Sequence, residues 1–95
     1  MSEDTTATHV IIRGRVQGVC YRAWTVKKAQ ALGLTGWVRN CKEGSVEAVF
    51  CGSRKNVDTM IKACHSGPTL ARVDNIETAV AENEGWNAFY QRSTV

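Results

Sequence analysis

The sequence predicts an α+β fold of the ferredoxin-like type, a split β-α-β sandwich in which an antiparallel sheet of four to five strands carries two helices on one face. Two observations lead to this fold class. Segments rich in β-branched residues alternate with two segments of helical periodicity, in the order β-α-β-β-α-β with one further short strand. Each helix also has an apolar stripe, and one face of a shared sheet buries both stripes.

The first strand and helix flank a glycine-containing loop. A strand is predicted over His9–Arg13, where β-branched residues cluster, and Gly14 ends it. Helical composition runs from Arg22 to Leu34, with Gly33 where a left-handed C-cap is expected. The loop between them therefore connects a buried strand to the start of a helix.

A β-hairpin is predicted next. Its strands cover Gly36–Cys41 and Ser45–Cys51, and the residues Lys42–Ser45 form a turn that contains a glycine. Apolar and other residues alternate along the second strand, so one face packs on the core while Glu47 is expected to stay in water.

The C-terminal half supplies a second helix and two strands. Ser53 is a suitable N-cap for a helix that carries an apolar stripe as far as Cys64, and Gly67-Pro68 stops the chain from continuing as a helix. A strand follows over Arg72–Val80, with a bulge expected between Val73 and Ile76. The last strand is predicted around Ala88–Arg92.

Length and composition indicate one domain over residues 1–95, with a flexible N-terminal segment at about 1–7. The chain has 43% apolar and 22% charged residues, which is globular composition and argues against disorder. No apolar run approaches the roughly 18 residues of a membrane span, and the polar, acidic start does not resemble a signal sequence. We therefore expect a cytoplasmic monomer with no membrane partner.

The four cysteines, Cys20, Cys41, Cys51 and Cys64, form no C-x-x-C pair, and the two histidines, His9 and His65, are not at metal-ligand spacing. No metal site is expected, and we expect the cysteines to be reduced thiols that pack as small apolar side chains in the core.

Positive charge is concentrated in the N-terminal half. Residues 1–42 hold seven basic residues against Glu3 and Asp4, and no carboxylate occurs between Thr5 and Lys42. A positive field over this half favours capture of an anionic ligand. The alternative is a chance cluster on a solvated face.

The segment Gly14–Arg22, with the sequence GRVQGVCYR, has the parts of an anion site. Glycines allow a turn that points several N–H groups into one concavity, a helix N-terminus adds partial positive charge, and Arg22 can bind two phosphate oxygens. The P-loop pattern fails because no Lys-Ser follows the second glycine. The loop of a cysteine-based phosphatase does not fit either, because the single residue between Cys20 and Arg22 is too few to wrap a phosphate. A plain strand-to-helix connection is the alternative.

Asn40 occupies a strand position where alternation favours an apolar residue. It is either a turn former at the strand end or an amide placed for function. Because its strand lies in the same sheet as the first strand, its end can approach the loop before Arg22.

These segments resemble the acylphosphatase family. The resemblance is carried by Gly14–Arg22, by GLTGWVRN over Gly33–Asn40 and by EGSVE over Glu43–Glu47, and it continues through Gly67-Pro68 and Ala71–Asp74. It covers nearly the whole chain, from about Thr8 to Arg92. Position 20 departs from the glycine common in bacterial members, and Tyr21 replaces the usual phenylalanine.

The resemblance implies a cofactor-free, metal-independent cytosolic hydrolase that splits carboxyl-phosphate anhydrides into a carboxylate and phosphate. By this similarity Arg22 binds the phosphoryl group with backbone amides of the loop, and Asn40 holds the attacking water. The loop residues implied are Gln17, Gly18, Val19, Cys20, Tyr21 and Arg22. A small-molecule acyl phosphate is then the substrate, and inorganic phosphate is the product and an inhibitor.

Two other classes of function compete with a hydrolase. One is a nucleic-acid-binding module of similar fold, which is disfavoured because Trp37 is the single candidate for base stacking on the central strands. The other is a non-catalytic phosphate or anion sensor, or a domain of a larger carbamoyl-transfer protein; the standalone length favours the enzyme.

Overall fold

The computed structural model describes residues 5–95, and it confirms the predicted order of elements. Five strands and two helices follow one another as β1 (Thr5–Arg15), α1 (Tyr21–Ala31), β2 (Thr35–Asn40), β3 (Val46–Ser53), α2 (Arg54–Cys64), β4 (Arg72–Val80) and β5 (Phe89–Gln91). Strand β1 is longer than predicted at both ends. Of the predicted flexible segment 1–7, residues 5–7 belong to β1 and residues 1–4 lie outside the described residues.

The strands form one sheet in the order β4-β1-β3-β2-β5. Three of the four pairings are antiparallel, as predicted, but β5 runs parallel to β2, so the expectation of a wholly antiparallel sheet is wrong at this edge. The reason is the path of the chain after β4. Residues 81–88 cross the same end of the sheet at which β2 begins, and β5 therefore enters beside the start of β2.

A bulge interrupts the pairing of β1 with β4, as predicted. Arg13 pairs with Asn75 while Gly14 pairs with Val73, which leaves Asp74 as one extra residue in β4. The bulge falls at the end of β1 from which the loop to α1 departs.

The main core lies between the helices and one face of the sheet. Val46, Ala48 and Phe50 of β3 are fully buried there, which confirms the predicted alternation. Helix α2 contributes its predicted stripe, and the Ser53 hydroxyl caps it by accepting from the Asn56 N–H at 3.2 Å. Burial of each such aliphatic side chain contributes about 1.5–3 kcal/mol to the stability of the folded state.

Helix α1 ends in the motif that Gly33 predicts, although it ends earlier, at Ala31. The Gly33 N–H donates to the Gln30 carbonyl at 3.0 Å, and the Leu34 N–H donates to the Ala29 carbonyl at 2.9 Å. This is a Schellman pattern, in which Gly33 takes the left-handed φ of 69° and the buried Leu34 returns the chain to the core.

The opposite face of the sheet carries a network around Glu47, whose side chain is only 17% exposed. Its carboxylate accepts from His9 Nε2 at 2.6 Å and from Arg39 Nε at 2.8 Å. The expectation that Glu47 stays in water is therefore wrong, because partners on β1 and β2 draw it onto the sheet. Burial opposes ionisation, but the hydrogen bonds from His9 and Arg39 outweigh it and lower the pKa of Glu47.

All four cysteines are free thiols. Cys51 and Cys64 are buried among apolar side chains, as the sequence suggests, whereas Cys20 is exposed. Neither helix of the described residues is long and apolar enough to span a membrane.

The Glu47 network gives a prediction for stability against pH. Replacing Glu47 by Gln should lower the free energy of unfolding at pH 7 by about 1–2 kcal/mol, because charge-assisted hydrogen bonds are lost. Since the folded-state pKa lies below the unfolded one, this contribution is present above the unfolded pKa and disappears as pH falls through the folded pKa. Urea denaturation at pH 7 and near pH 3 measures the difference.

Glu77→Gln is the matched control, since Glu77 pairs with Arg13 but its side chain is 59% exposed. Its substitution should change stability by less than about 0.5 kcal/mol. An equal deficit of Glu47→Gln at both pH values would contradict the prediction.

Candidate active site

The loop between β1 and α1 is anchored in the main core by the buried Val16 and Val19, and Tyr21 follows as a third buried residue. Gly18 has a φ of 74° and Cys20 a φ of 66°, so two left-handed residues flank Val19. Cys20 is the one non-glycine residue with positive φ among residues 5–95, which accounts for the glycine that the family resemblance implies at this position.

Helix α1 begins directly after this turn, with Cys20 as its N-cap residue. The Cys20 side chain makes no capping hydrogen bond, and the first turn contains no acidic residue. The first intrahelical bond of this end runs from the Trp24 N–H to the Cys20 carbonyl at 3.0 Å. The N–H groups before Trp24 therefore have no partner within the helix, and they carry the partial positive charge of the helix N-terminus.

An open cleft of about 320 Å³ lies at this helix end. It is lined by the loop and first turn from Val16 to Ala23, except Val19, together with Asn40 of β2 and Gln91 of β5. Within residues 5–95, no carboxylate lines the cleft or pairs with Arg22. The site thus presents a guanidinium and a helix N-terminus with no opposing negative charge, which suits an anion.

Asn40 brings an unsatisfied acceptor to the cleft. Its Oδ1 is buried and has no hydrogen-bond partner, and it is the single buried side-chain oxygen or nitrogen of the described chain in that condition. Leaving a buried polar atom unpaired costs about 1–3 kcal/mol, so an unpaired group of this kind calls for a physical explanation, such as a bound water, a ligand or strain. Asn40 thus contributes to the lining of the cleft an amide whose oxygen has no partner among residues 5–95.

The side chain of Gln17 links the two halves of the site. Its Nε2 donates to the carbonyls of Cys41 and Ser45, both at 2.8 Å, and these residues begin and end the turn after β2. That turn is itself braced, because the Glu43 carboxylate accepts from the N–H and hydroxyl of Ser45 at 2.8 Å each. The distance between the loop and Asn40 is consequently fixed by a glutamine side chain.

Tyr21 anchors the first turn of α1 from the other side. Its ring is buried, and its hydroxyl donates to the Cys64 carbonyl at the end of α2 at 2.6 Å. Burial raises the pKa of Tyr21 far above its ordinary value, so the hydroxyl remains a donor at every physiological pH. Burial likewise raises the pKa of Cys64 to about 12, so this thiol stays neutral.

The sequence-predicted site residues mostly come together. Arg22 and Asn40 face one cleft, and Gln17, Gly18, Cys20 and Tyr21 line it, whereas Val19 is a core residue. Neither histidine reaches this cleft.

The sequence prediction missed two features: the Gln17 side chain as a link to the hairpin, and Gln91 at the cleft. Alternation from Phe89 along the last strand is the signal that points to Gln91.

Fold and site together define a small ferredoxin-like protein with a positively charged cleft, in which a loop and helix N-terminus face an amide on another strand of the sheet. The acylphosphatase family model matches residues 8–90. The chain is 59% identical over 68 residues to the acylphosphatase of Nitrobacter winogradskyi, covering 72% of this chain and 69% of the relative. This protein therefore belongs to the acylphosphatase family, and it is an enzyme that hydrolyses acyl phosphates.

Solved structures of known proteins share the fold of this chain. An acylphosphatase from Coxiella burnetii superposes with a TM-score of 0.90 at 38% identity and covers 94% of each chain. Full-length HypF, solved in a phosphate- and nucleotide-bound form, contains a similar fold: the TM-score is 0.90 at 25% identity, over 99% of this chain but only 13% of HypF.

The left-handed conformation of Cys20 gives a prediction for this loop. Cys20→Gly should be more stable than Cys20→Val by about 1–2 kcal/mol, because a β-branched side chain is strained at positive φ and glycine is not. At Lys27, an exposed position inside α1, the order should reverse, since glycine is the poorer helix former. Chemical denaturation of the four variants measures both differences, and the same order at both positions would contradict the prediction.

Proposed function

We propose that Arg22 and the loop amides bind the phosphoryl group of the acyl phosphate and that Asn40 holds the attacking water, so that hydrolysis gives a carboxylate and inorganic phosphate. The observation that carries this proposal is the buried, unpartnered Oδ1 of Asn40 in the cleft that Arg22 also lines. Membership of the acylphosphatase family supports the same reaction.

Binding of the phosphoryl group follows from the charges at the cleft. The Arg22 guanidinium can donate two parallel hydrogen bonds to phosphoryl oxygens, and the free N–H groups at the start of α1 supply further donors. Gln17, Gly18, Val19, Cys20, Tyr21 and Arg22 would act through their backbone amides. Because these donors are held by the buried Val16, Val19 and Tyr21, little reorganisation is needed when charge shifts in the transition state.

Attack by water then requires one well-placed acceptor. Asn40 Oδ1 accepts a hydrogen bond from the water and leaves a lone pair of the water oxygen directed at phosphorus. The bond from the water oxygen to phosphorus forms as the bond from phosphorus to the acyl oxygen breaks. The bonding electrons of the broken bond leave with the carboxylate, and the proton of the water passes to a phosphoryl oxygen.

No side chain has to act as a proton donor, because a carboxylate is a stable leaving group at neutral pH. This agrees with the composition of the cleft: among the described residues that line it, none is a histidine or an acid. His9 is bonded to Glu47 on the opposite face of the sheet, and His65 lies at the end of α2. Catalysis then requires that the site position the water and stabilise the negative charge on the phosphoryl oxygens.

The same proposal covers the substrate, the inhibitor, the location and the oligomeric state. The acyl phosphate is a small molecule, inorganic phosphate competes with it for Arg22 and the loop, and the enzyme works as a cytoplasmic monomer.

Hydrolysis of benzoyl phosphate, followed by absorbance with a chelator present, tests the reaction, and competition by inorganic phosphate tests the site. Failure to hydrolyse any acyl phosphate would overturn the proposal.

Nucleic-acid binding is the less supported function. Trp37, the candidate for base stacking, is 6% exposed, and the guanidinium groups of Arg39 and Arg92 lie 4.7 and 4.8 Å from its ring centroid. A base would have to displace these cations before stacking on the ring.

Replacing Arg22 by Ala should reduce kcat/KM for benzoyl phosphate by at least about a thousandfold and abolish competition by phosphate, because the main charge at the cleft is removed. Arg15→Ala is the control: it removes the same charge from an exposed residue at the end of β1, outside the cleft. Its kcat/KM should stay within about threefold of the unmodified protein. Appreciable activity in Arg22→Ala would refute the central role of Arg22.

Replacing Asn40 by Ala should lower kcat by about a hundredfold or more while phosphate still competes with unchanged affinity, because Asn40 contacts the water and not the phosphoryl group. Asn75→Ala, an exposed position on β4, serves as the control and should leave kcat unchanged. An equal loss of phosphate affinity in Asn40→Ala would show that Asn40 is a structural residue.

A further inference from the structure

Gln91 is a polar residue at the cleft to which neither the family resemblance nor the proposed reaction gives a role. It lies on β5, which pairs in parallel with β2 so that Gln91 stands opposite Val38. Val38 and Phe89 are buried in the core on the helix-facing side of the sheet. Because side chains alternate along strands, Asn40 and Gln91 project to that same side, from neighbouring strands.

The two amides lie at different depths. The Oδ1 of Asn40 is buried, whereas Gln91 is exposed. Gln91 therefore lies at the mouth of the cleft, together with the exposed Gly18, Cys20 and Ala23. It is the one member of this group with a strong hydrogen-bonding side chain, and its amide has no partner within residues 5–95.

We infer that Gln91 is a specificity residue whose Nε2 donates a hydrogen bond to the carbonyl oxygen of the acyl group. The inference rests on the proposed function, since it needs the phosphoryl group bound at Arg22 and the loop. With that group inside the cleft, the acyl group extends through the mouth, where Gln91 lies. A neutral amide suits this position, because it donates to the acyl oxygen without repelling the anionic substrate.

The same contact strengthens as the reaction proceeds. When the bond from phosphorus to the acyl oxygen breaks, negative charge spreads onto both oxygens of the leaving carboxylate. A hydrogen bond to a charged acceptor is stronger than one to a neutral carbonyl, so Gln91 favours the transition state over the bound substrate. Gln91 would then select acyl phosphates over phosphate esters that lack a carbonyl.

Two non-hydrolysable phosphonates test this contact, because they differ in one carbonyl group. Phenacylphosphonate keeps the carbonyl of an acyl phosphate, and 2-phenylethylphosphonate has a methylene group in its place. Their inhibition constants against benzoyl phosphate are measured for the unmodified protein and for Gln91→Leu. The unmodified protein should prefer the ketone by about fivefold, and Gln91→Leu should lose that preference.

The matched control is Gln30→Leu, the same chemical change at an exposed position of α1 away from the cleft, and it should keep the preference. A ratio of inhibition constants that is the same in Gln91→Leu as in the unmodified protein, or no preference in the unmodified protein, would overturn the inference. A fall in kcat with both constants unchanged would also overturn it, and would assign Gln91 to the water instead.

Failure of the inference is distinguishable from failure of the proposed function. If the unmodified protein does not hydrolyse benzoyl phosphate, the proposed reaction is wrong. If it does hydrolyse benzoyl phosphate, and inorganic phosphate competes, only the role of Gln91 is at stake.

Discussion

The hydrogen bond from the Tyr21 hydroxyl to the Cys64 carbonyl, 2.6 Å long and fully buried, holds the start of α1 against the end of α2. Arg22 and the left-handed Cys20 are the neighbours of Tyr21 in the chain, so this side of the cleft is held from within the core. Little space is left around the ring: a Cβ atom on Gly67 would lie 2.6 Å from Tyr21 Cε2. The proposed binding by backbone N–H groups depends on such an anchor, because these groups cannot be repositioned separately.

Paired charged side chains lie on the open face of the sheet, whereas the arginine at the cleft has no carboxylate partner within the described residues. On the open face of the sheet Glu47 is shared between His9 and Arg39, and Arg13 pairs with Glu77. At the cleft, by contrast, Arg22 has no carboxylate partner within the described residues. A paired arginine would have to break its ion pair before it could bind a phosphoryl group. Because the sequence has no carboxylate between Thr5 and Lys42, the partners of Arg13 and Arg39 come from later strands, and none of these strands brings a carboxylate to Arg22 within the described residues.

Local rules predicted most of the fold and most of the residues that line the cleft, whereas the roles of those residues stay predictions. Periodicity identified both helices and the order of the strands, and the alternation of Val46, Ala48 and Phe50 identified the core face of β3. The direction of β5 was wrong, because no local pattern says from which end a strand enters a sheet after a crossing of several residues. Glu47 was misplaced for a related reason: its partners lie on two other strands, so their approach depends on register.

The sequence prediction of the site was incomplete for the same reason, because some of its contacts join residues far apart in the chain. The motifs pointed to Arg22 and Asn40, and both line the cleft. Gln17 was assigned only a backbone amide, since its two carbonyl acceptors are 24 and 28 residues away in the chain. These long-range bonds make the cleft one unit. The loop carries the positive charge and β2 carries the acceptor, and the two meet at a fixed distance because Gln17 joins the loop to the turn that follows β2. The chain thus supplies geometry and charge, and the acyl phosphate supplies its own leaving group.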